Sequence, residues 1–367
     1  MTSNTPPPPP QQQPQSPVYY KEPQSRSVSF YVAIFLLLLL LLSGALNVLL
    51  LVVGAVSGAA NATFGTSVVD DGDSLYDLVA TGGDPKAKVR ILRLPIEGAI
   101  AEERTPLLGA AGGTVSQVRR ALRTARREKP TIAAVLLDID SPGGGVTDSD
   151  EIWRLVREFK QETRIPVWAL FGDLAASGGY YVASACDRIL ARPTSTTGSI
   201  GVIMSGYNFA EAAKKLGVEQ VTIVSAKTPY KDLLSPMRAP REDETRLLRT
   251  IVDEMYTRFV DVVAMGRPAL DRDQVERLAD GRIYSANQAK QAGLVDDIVD
   301  VEQAVTALRE QIKAERVQIV ELRRRPNLGE LLFGVRAAPK PTLEQSLAHL
   351  LHSTSGPRLL YLWQGGR

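Results

Sequence analysis

Hydrophobic and polar positions are spread very unevenly along this chain. It opens on TPPPPPQQQPQSP, a low-complexity stretch whose composition predicts a disordered or polyproline-like tail over residues 1–27. A run without a single charge follows, from Phe30 to Ala60. It is long enough to span a bilayer with tilt to spare, which predicts a transmembrane helix over 28–60. A cleaved signal peptide is the rival reading, because ANA at 60–62 resembles a cleavage site. The apolar run far exceeds the roughly 7–15 residues of a signal-peptide core, which favours the anchor. Residues 61–87, with DDGDS and TGGDP, turn polar again and read as a linker.

From Lys88 the pattern becomes that of a folded domain. KVRILRLPIEGAI alternates as a strand does, and TVSQVRRALRTARRE places Val115, Val118, Leu122 and Ala125 at helical spacing. TIAAVLLDI (131–139) is a continuous apolar run of strand length, expected where a strand is covered on both faces. Another helix, with Ile152, Leu155, Val156 and Phe159 on one side, precedes a strand at IPVWALF (165–171). A helical segment from Ser177, short strands at RILAR and SIGVIM, a helix at NFAEAAKKLG and a strand at VEQVTIV continue the alternation. From Arg241 the chain turns helical, with a last helix over about 301–314. Strands alternating with helices predict an α/β domain with a largely parallel sheet and a helical C-terminal part, over residues 88–322. Residues 323–367 form a basic and apolar tail, read as a peripheral segment with membrane contact or packing on a neighbouring subunit as alternatives.

Charge adds an orientation. Lys21 and Arg26 precede the apolar run, whereas residues 61–85 hold five aspartates and no Lys or Arg. The positive-inside rule then places the N-terminus in the cytoplasm and the domain outside it. The net charge of +2 gives no reason to expect nucleic acid as a partner. The single cysteine, Cys186, excludes an intrachain disulfide and a cysteine-rich zinc site, and its apolar setting predicts a buried structural thiol.

Chemistry concentrates at two glycine-rich turns, each expected at the carboxyl end of a strand: DSPGGG (140–145) and LAASGG (174–179). Backbone N–H groups free of side-chain bulk are suited to an oxyanion, and Ser177 would lie beside them as a nucleophile. Either turn alone is also an ordinary tight βα connection. A serine nucleophile needs a base, and the only histidines are His349 and His352 in the tail. A variant nucleophile elbow with one of them is open on residue order, but GDLAA separates the strand from the serine where an elbow serine follows almost directly. No serine heads an S-x-x-K pattern, and Lys231 in TPYKDLLSPMR is, on its residues alone, one of several lysines that burial would make basic enough.

Four blocks in order settle the comparison: SPGGG, GDLAASGGYYVASACDRILARPTSTTGSIGV, YKDLLSPMR and GRIYSANQAKQAGLVDDI. Over about residues 88–315 they resemble the signal peptide peptidase A family, the protease IV type of membrane-bound serine peptidase, whose fold is shared with the Clp protease subunit and the crotonases. The resemblance implies a Ser–Lys dyad, with Ser177 as nucleophile and Lys231 as general base. It further implies that Ser199 contacts and orients the lysine amine, and that the N–H groups of Gly144 and Gly178 form the oxyanion hole. Asp140 stands where the family often has asparagine, behind the hole.

The implied function is a bacterial inner-membrane endopeptidase, with no metal or organic cofactor. Its substrates would be cleaved signal peptides and other short apolar peptides. Longer members carry two copies of the fold and build each site from both. The single copy here implies a homo-oligomeric ring with Ser177 of one protomer facing Lys231 of the next; a dyad within one chain is the alternative. A crotonase-type acyl-CoA enzyme and a non-catalytic membrane scaffold are the competing readings, and neither explains why both dyad blocks are intact.

Overall fold

The computed structural model of the chain describes residues 32, 34–44, 47, 76–102, 113–325 and 359–363. The residues before 71 form a unit of their own, of which 32, 34–44 and 47 are described, all helical. Among the described residues no helix is long and apolar enough to cross a membrane, and most of the expected 28–60 span lies outside them. The expected N-terminal tail, residues 326–358 and both histidines also lie outside them.

The domain is mixed α/β around a largely parallel sheet. In chain order its strands are β1 (Tyr76–Gly83), β2 (Val89–Glu97), β3 (Ile132–Ser141), β4 (Gly143–Gly145), β5 (Val167–Ala176), β6 (Arg188–Ala191), β7 (Thr196–Gly198), β8 (Ile203–Met204), β9 (Ile283–Ser285), β10 (Asp297–Ile298), β11 (Val317–Arg324) and β12 (Leu359–Leu362). The main sheet runs β1-β11-β2-β3-β5-β6-β10, with β7 continuing beside the end of β5 and pairing in turn with β9. Within it only the β1–β11 and β7–β9 pairs are antiparallel. The helices are α1 (Thr114–Arg127), α2 (Val146–Thr163), α3 (Gly178–Ala183), α4 (Ala210–Lys215), α5 (Glu242–Gly266), α6 (Arg272–Leu278), α7 (Ala286–Gln291) and α8 (Val301–Gln311).

The alternation along the central strands sorts the core into two layers. Leu92, Leu94 and Ile96 of β2 and Val135, Leu137 and Ile139 of β3 pack with Val115, Val118, Ile152, Val156 and Phe159 of α1 and α2. Ile91, Ala134, Leu136, Trp168 and Leu170 face the other way, against Ala304 and Leu308 of α8. Covering on both sides is why β3 and the start of β5 read as unbroken apolar runs. Asp138 is the polar exception: it is buried and accepts from Arg93 Nε at 3.0 Å and Arg192 at 3.1 Å. Cys186 is buried and its thiol is pushed up to about 12 by that burial, so it is a structural residue as the sequence predicts.

Three local expectations change. Residues 76–83 are an edge strand on β11 rather than linker, so the sheet runs from 76 to 324. VEQVTIV forms no strand: a strand exists only where a neighbour completes its ladder, and residues 218–224 are mostly exposed. Part of the C-terminal tail is not peripheral, since 359–362 enters a three-stranded sheet, β4-β12-β8, within the same chain. One stability consequence follows from the two-sided burial: Leu137→Ala, in the middle of β3, should lower unfolding free energy by about 2–5 kcal/mol in a denaturant titration.

Candidate active site

Ser177 stands where β5 ends and α3 begins. Its N–H donates to Gly198 O at 2.8 Å, and the Thr197 hydroxyl donates to Ala175 O at 2.6 Å, so β7 holds the end of β5 up to the serine itself. Ser177 adopts φ 54° and ψ −114°, a conformation that a residue with a Cβ rarely takes. Such a residue costs about 1–3 kcal/mol and persists only where its surroundings over-determine it. With 1% of its surface exposed, Ser177 is so held.

The two glycine turns meet here. A Cβ built on Gly178 would lie 2.6 Å from Ser149 Oγ and 3.1 Å from both Gly143 Cα and Gly144 N. One built on Gly143, itself at φ 98°, would lie 2.0 Å from Tyr361 O and 2.6 Å from Gly178 N. One on Gly144 would lie 2.0 Å from Ile100 O. The backbones approach as closely as backbones can, and only glycine leaves room. Gly178 is the first residue of α3, so its N–H has no partner inside that helix.

Ser199 directly follows the carbonyl that receives the Ser177 N–H. It is buried, also has a positive φ of 49°, and its own N–H donates to Arg282 O at 2.7 Å. The structure therefore gathers Ser177, Gly144, Gly178 and Ser199. It does not bring Lys231 to them by any hydrogen bond or ion pair among the described residues: Lys231 lies exposed in the turn between α4 and α5, its N–H bonded to Thr228 O at 3.1 Å.

Sequence reasoning missed what lies on the other side of the glycines. The chain's own segment 359–362 runs antiparallel to β4, pairing Leu360 with Gly145, Tyr361 with Gly144 and Leu362 with Gly143, and pairs with β8 through Leu359 and Leu360. Trp363 N–H donates to Pro142 O at 2.8 Å. Tyr361 is fully buried, stacked on Tyr181 at 4.9 Å, 4.7 Å from the Phe259 ring, with its hydroxyl donating to Met255 O at 3.0 Å. The signal was the apolar run RLLYLW, which carries strand-forming residues into an otherwise irregular tail. Among the described residues no group of three or more His, Cys, Asp or Glu side chains is placed to hold a metal ion.

Ser149 Oγ is buried without a hydrogen-bond partner, so its removal leaves no polar group orphaned. Ser149→Ala alone should change the melting temperature little. Gly178→Ala should lower it markedly, and adding Ser149→Ala should recover part of that loss, a coupling read from the four melting temperatures.

Residues 159–315 match the model of Peptidase family S49. The chain is 38% identical over 233 residues to the putative signal peptide peptidase SppA of Enterococcus faecium, covering 63% of this chain and 66% of that one. It is 40% identical over 215 residues to the putative protease slr0021 of Synechocystis sp., covering 59% and 72% respectively. The chain thus spans 66% and 72% of the lengths of these two relatives. Among solved structures, a ClpP1 mutant from Listeria monocytogenes superposes with a TM-score of 0.38 at 16% identity, over 58% of this chain and 94% of that one.

Proposed function

The chain belongs to peptidase family S49, and from that premise we propose that it is a membrane-anchored serine endopeptidase working through Ser177 and Lys231. The observation that carries the reading is the company Ser177 keeps. A strained, buried serine sits beside glycine N–H groups, and the strand lying along those glycines is itself a stretch of extended polypeptide. Such a slot fits a peptide bond presented in extended form by main-chain pairing, as in other strand-addition sites.

In the proposed reaction the neutral Lys231 amine takes the Ser177 hydroxyl proton as Oγ bonds to the substrate carbonyl carbon. The oxyanion that forms accepts from the N–H groups of Gly144 and Gly178, which are fixed in place beforehand. The C–N bond then breaks, Lys231 returns the proton to the leaving amine, and an acyl ester remains on Ser177. Lys231 next deprotonates a water, which attacks the ester carbon and releases the acid with Ser177 restored. Ser199 orients the lysine amine. Short apolar peptides, cleaved signal peptides among them, are the proposed substrates, in keeping with the name of the Enterococcus relative. The apolar run at 28–60 would hold the enzyme beside them in a bacterial inner membrane, with the domain extracytoplasmic.

A lysine acts as a base near neutral pH only when its ammonium is desolvated, and within one chain Lys231 is exposed. The arm that carries Lys231, between β8 and α5, exposes large apolar side chains: Tyr207 by 73%, Leu216 by 79%, Val221 by 81% and Ile223 by 93%. Large apolar side chains left this exposed on one stretch of chain are what an interface buries. Both facts support a homo-oligomeric ring in which the arm of one copy covers the next and brings Lys231 to its Ser177.

Ser177→Ala should abolish peptide hydrolysis while leaving thermal unfolding near wild type, and Lys231→Arg should be inactive because a guanidinium stays protonated. Activity in either folded variant counts against the dyad. When Ser177→Ala and Lys231→Ala chains are unfolded together and reassembled, about a quarter of the junctions pair an intact serine with an intact lysine, so roughly that fraction of activity should return. Zero return from assembled rings would place both residues in one chain. For the slot, a chain ending at residue 358 should be inhibited competitively by the free pentapeptide Leu-Leu-Tyr-Leu-Trp; inhibition that raising the substrate concentration does not relieve would place the peptide elsewhere.

A further inference from the structure

Lys231 is exposed, yet the turn that carries it is tied down by arginine bonds on both sides of the lysine. The ties converge on one carboxylate. Glu244, in the first turn of α5, is 1% exposed. It accepts from the Arg241 N–H at 2.9 Å and from Arg238 through both terminal nitrogens, one of them at 2.8 Å, and forms an ion pair with the Arg241 guanidinium at 2.6 Å. Each of these arginines then reaches the backbone beside Lys231. Arg238 donates to Asp232 O at 3.0 Å and to Asp232 Oδ2 at 2.9 Å, immediately after the lysine. Arg241 donates to Pro229 O at 2.8 Å, two residues before it.

We propose that Glu244 is the positioning residue for Lys231: by holding Arg238 and Arg241 it fixes the turn on both sides of the lysine and presents the amine in one place. The proposal rests on the reading of Lys231 as the base. Its logic is that of a planar guanidinium, which offers donors in a rigid fork and so transmits a fixed carboxylate position to a second acceptor. Replacing either arginine by a flexible cation would lose that geometry. The bonds from Arg238 hold the Glu244 carboxyl down at about 2 against the opposing effect of burial, so the clamp is charged throughout the range in which a peptidase is assayed. Arg238 and Arg241 are thereby neutralised in place, with Asp232 as the second carboxylate. No part of this clamp touches Ser177, Gly144, Gly178 or Ser199 among the described contacts, so its effect on the reaction would pass through Lys231 alone.

The test uses the full-length chain carrying Glu244→Gln, which keeps the side chain's size and removes its charge. Thermal unfolding and sedimentation report fold and assembly, and kcat and KM are measured separately on a short peptide. The expected result is an assembled protein whose kcat falls roughly 10- to 100-fold, the cost of a misplaced catalytic group, with KM nearly unchanged. Reassembly with Ser177→Ala chains should restore activity, because those chains carry an undamaged lysine turn. Reassembly with Lys231→Ala chains should not, because both partners are then defective on the lysine side. A merely structural loss would not discriminate between the two partners. A folded, assembled Glu244→Gln enzyme with wild-type kcat overturns the proposal, as does equal recovery with either partner. If Glu244→Gln does not assemble, Asp232→Asn tests the same chain of bonds from its far end, with the same outcomes. Wild-type activity in Lys231→Ala would instead overturn the base assignment. A silent Ser177→Ala and Lys231→Ala mixture would overturn only the sharing between chains, and the kcat of Glu244→Gln alone then decides.

Discussion

The contact between the backbones of Gly143–Gly144 and Gly178 is the constraint on which this domain's site depends. No residue with a Cβ fits at that meeting point without moving Ile100, Tyr361 or Ser149. The approach aligns two turns from different strands, fixes where the N–H groups face, and leaves Ser177 at the start of α3 with nowhere to relax. Strain of that kind is held only by rigid surroundings. Here the surroundings are a parallel sheet buried on both faces, with β7 bonded along the end of β5 as far as the serine N–H.

The same crowding explains how the chain's own segment 359–362 fits beside the glycines. Glycines remove side chains from one edge of β4, so its main chain is open to pairing, and β8 offers a second edge two strands away. Residues 359–362 fill that gap, with Tyr361 seated among Tyr181, Phe259 and the Met255 carbonyl. In the proposed peptide slot, main-chain bonds would give tolerance for sequence and the aromatic seat a preference at one position.

The two halves of the proposed dyad are built by opposite means. Ser177 is fixed by burial and close packing, which admit no water and little motion. Lys231 sits on an exposed turn, and a charged clamp around Glu244 holds the backbone on both sides of it. Bonds between ionised partners hold geometry at a surface better than neutral ones do, and the buried carboxylate leaves them less screened than a pair fully in water. The apolar side chains on the same stretch, Ile223 above all, have no seat among the described residues.

Much of this was legible in the residues. The continuous apolar runs of β3 and β5, the helical spacing of α1 and α2, and the glycine turns after the strands are local patterns, and each produced the element it predicted. Family membership was carried by motif order, which is also local. What the sequence did not disclose depends on partners distant in the chain. The edge strand at 76–83 exists because β11 lies beside it, 218–224 is no strand because no described segment pairs with it, and 359–362 becomes one because the glycines of β4 leave an edge bare. The meeting of Gly144 with Gly178, and the clamp from Glu244 to the lysine turn, are likewise decided in space. The sequence by itself determined which residues are able to do chemistry and which elements carry them, because periodicity and turn preference act over a few residues. Only the tertiary structure decided which of them meet, because hydrogen-bond pairing and close approach are satisfied between segments that the chain order leaves far apart.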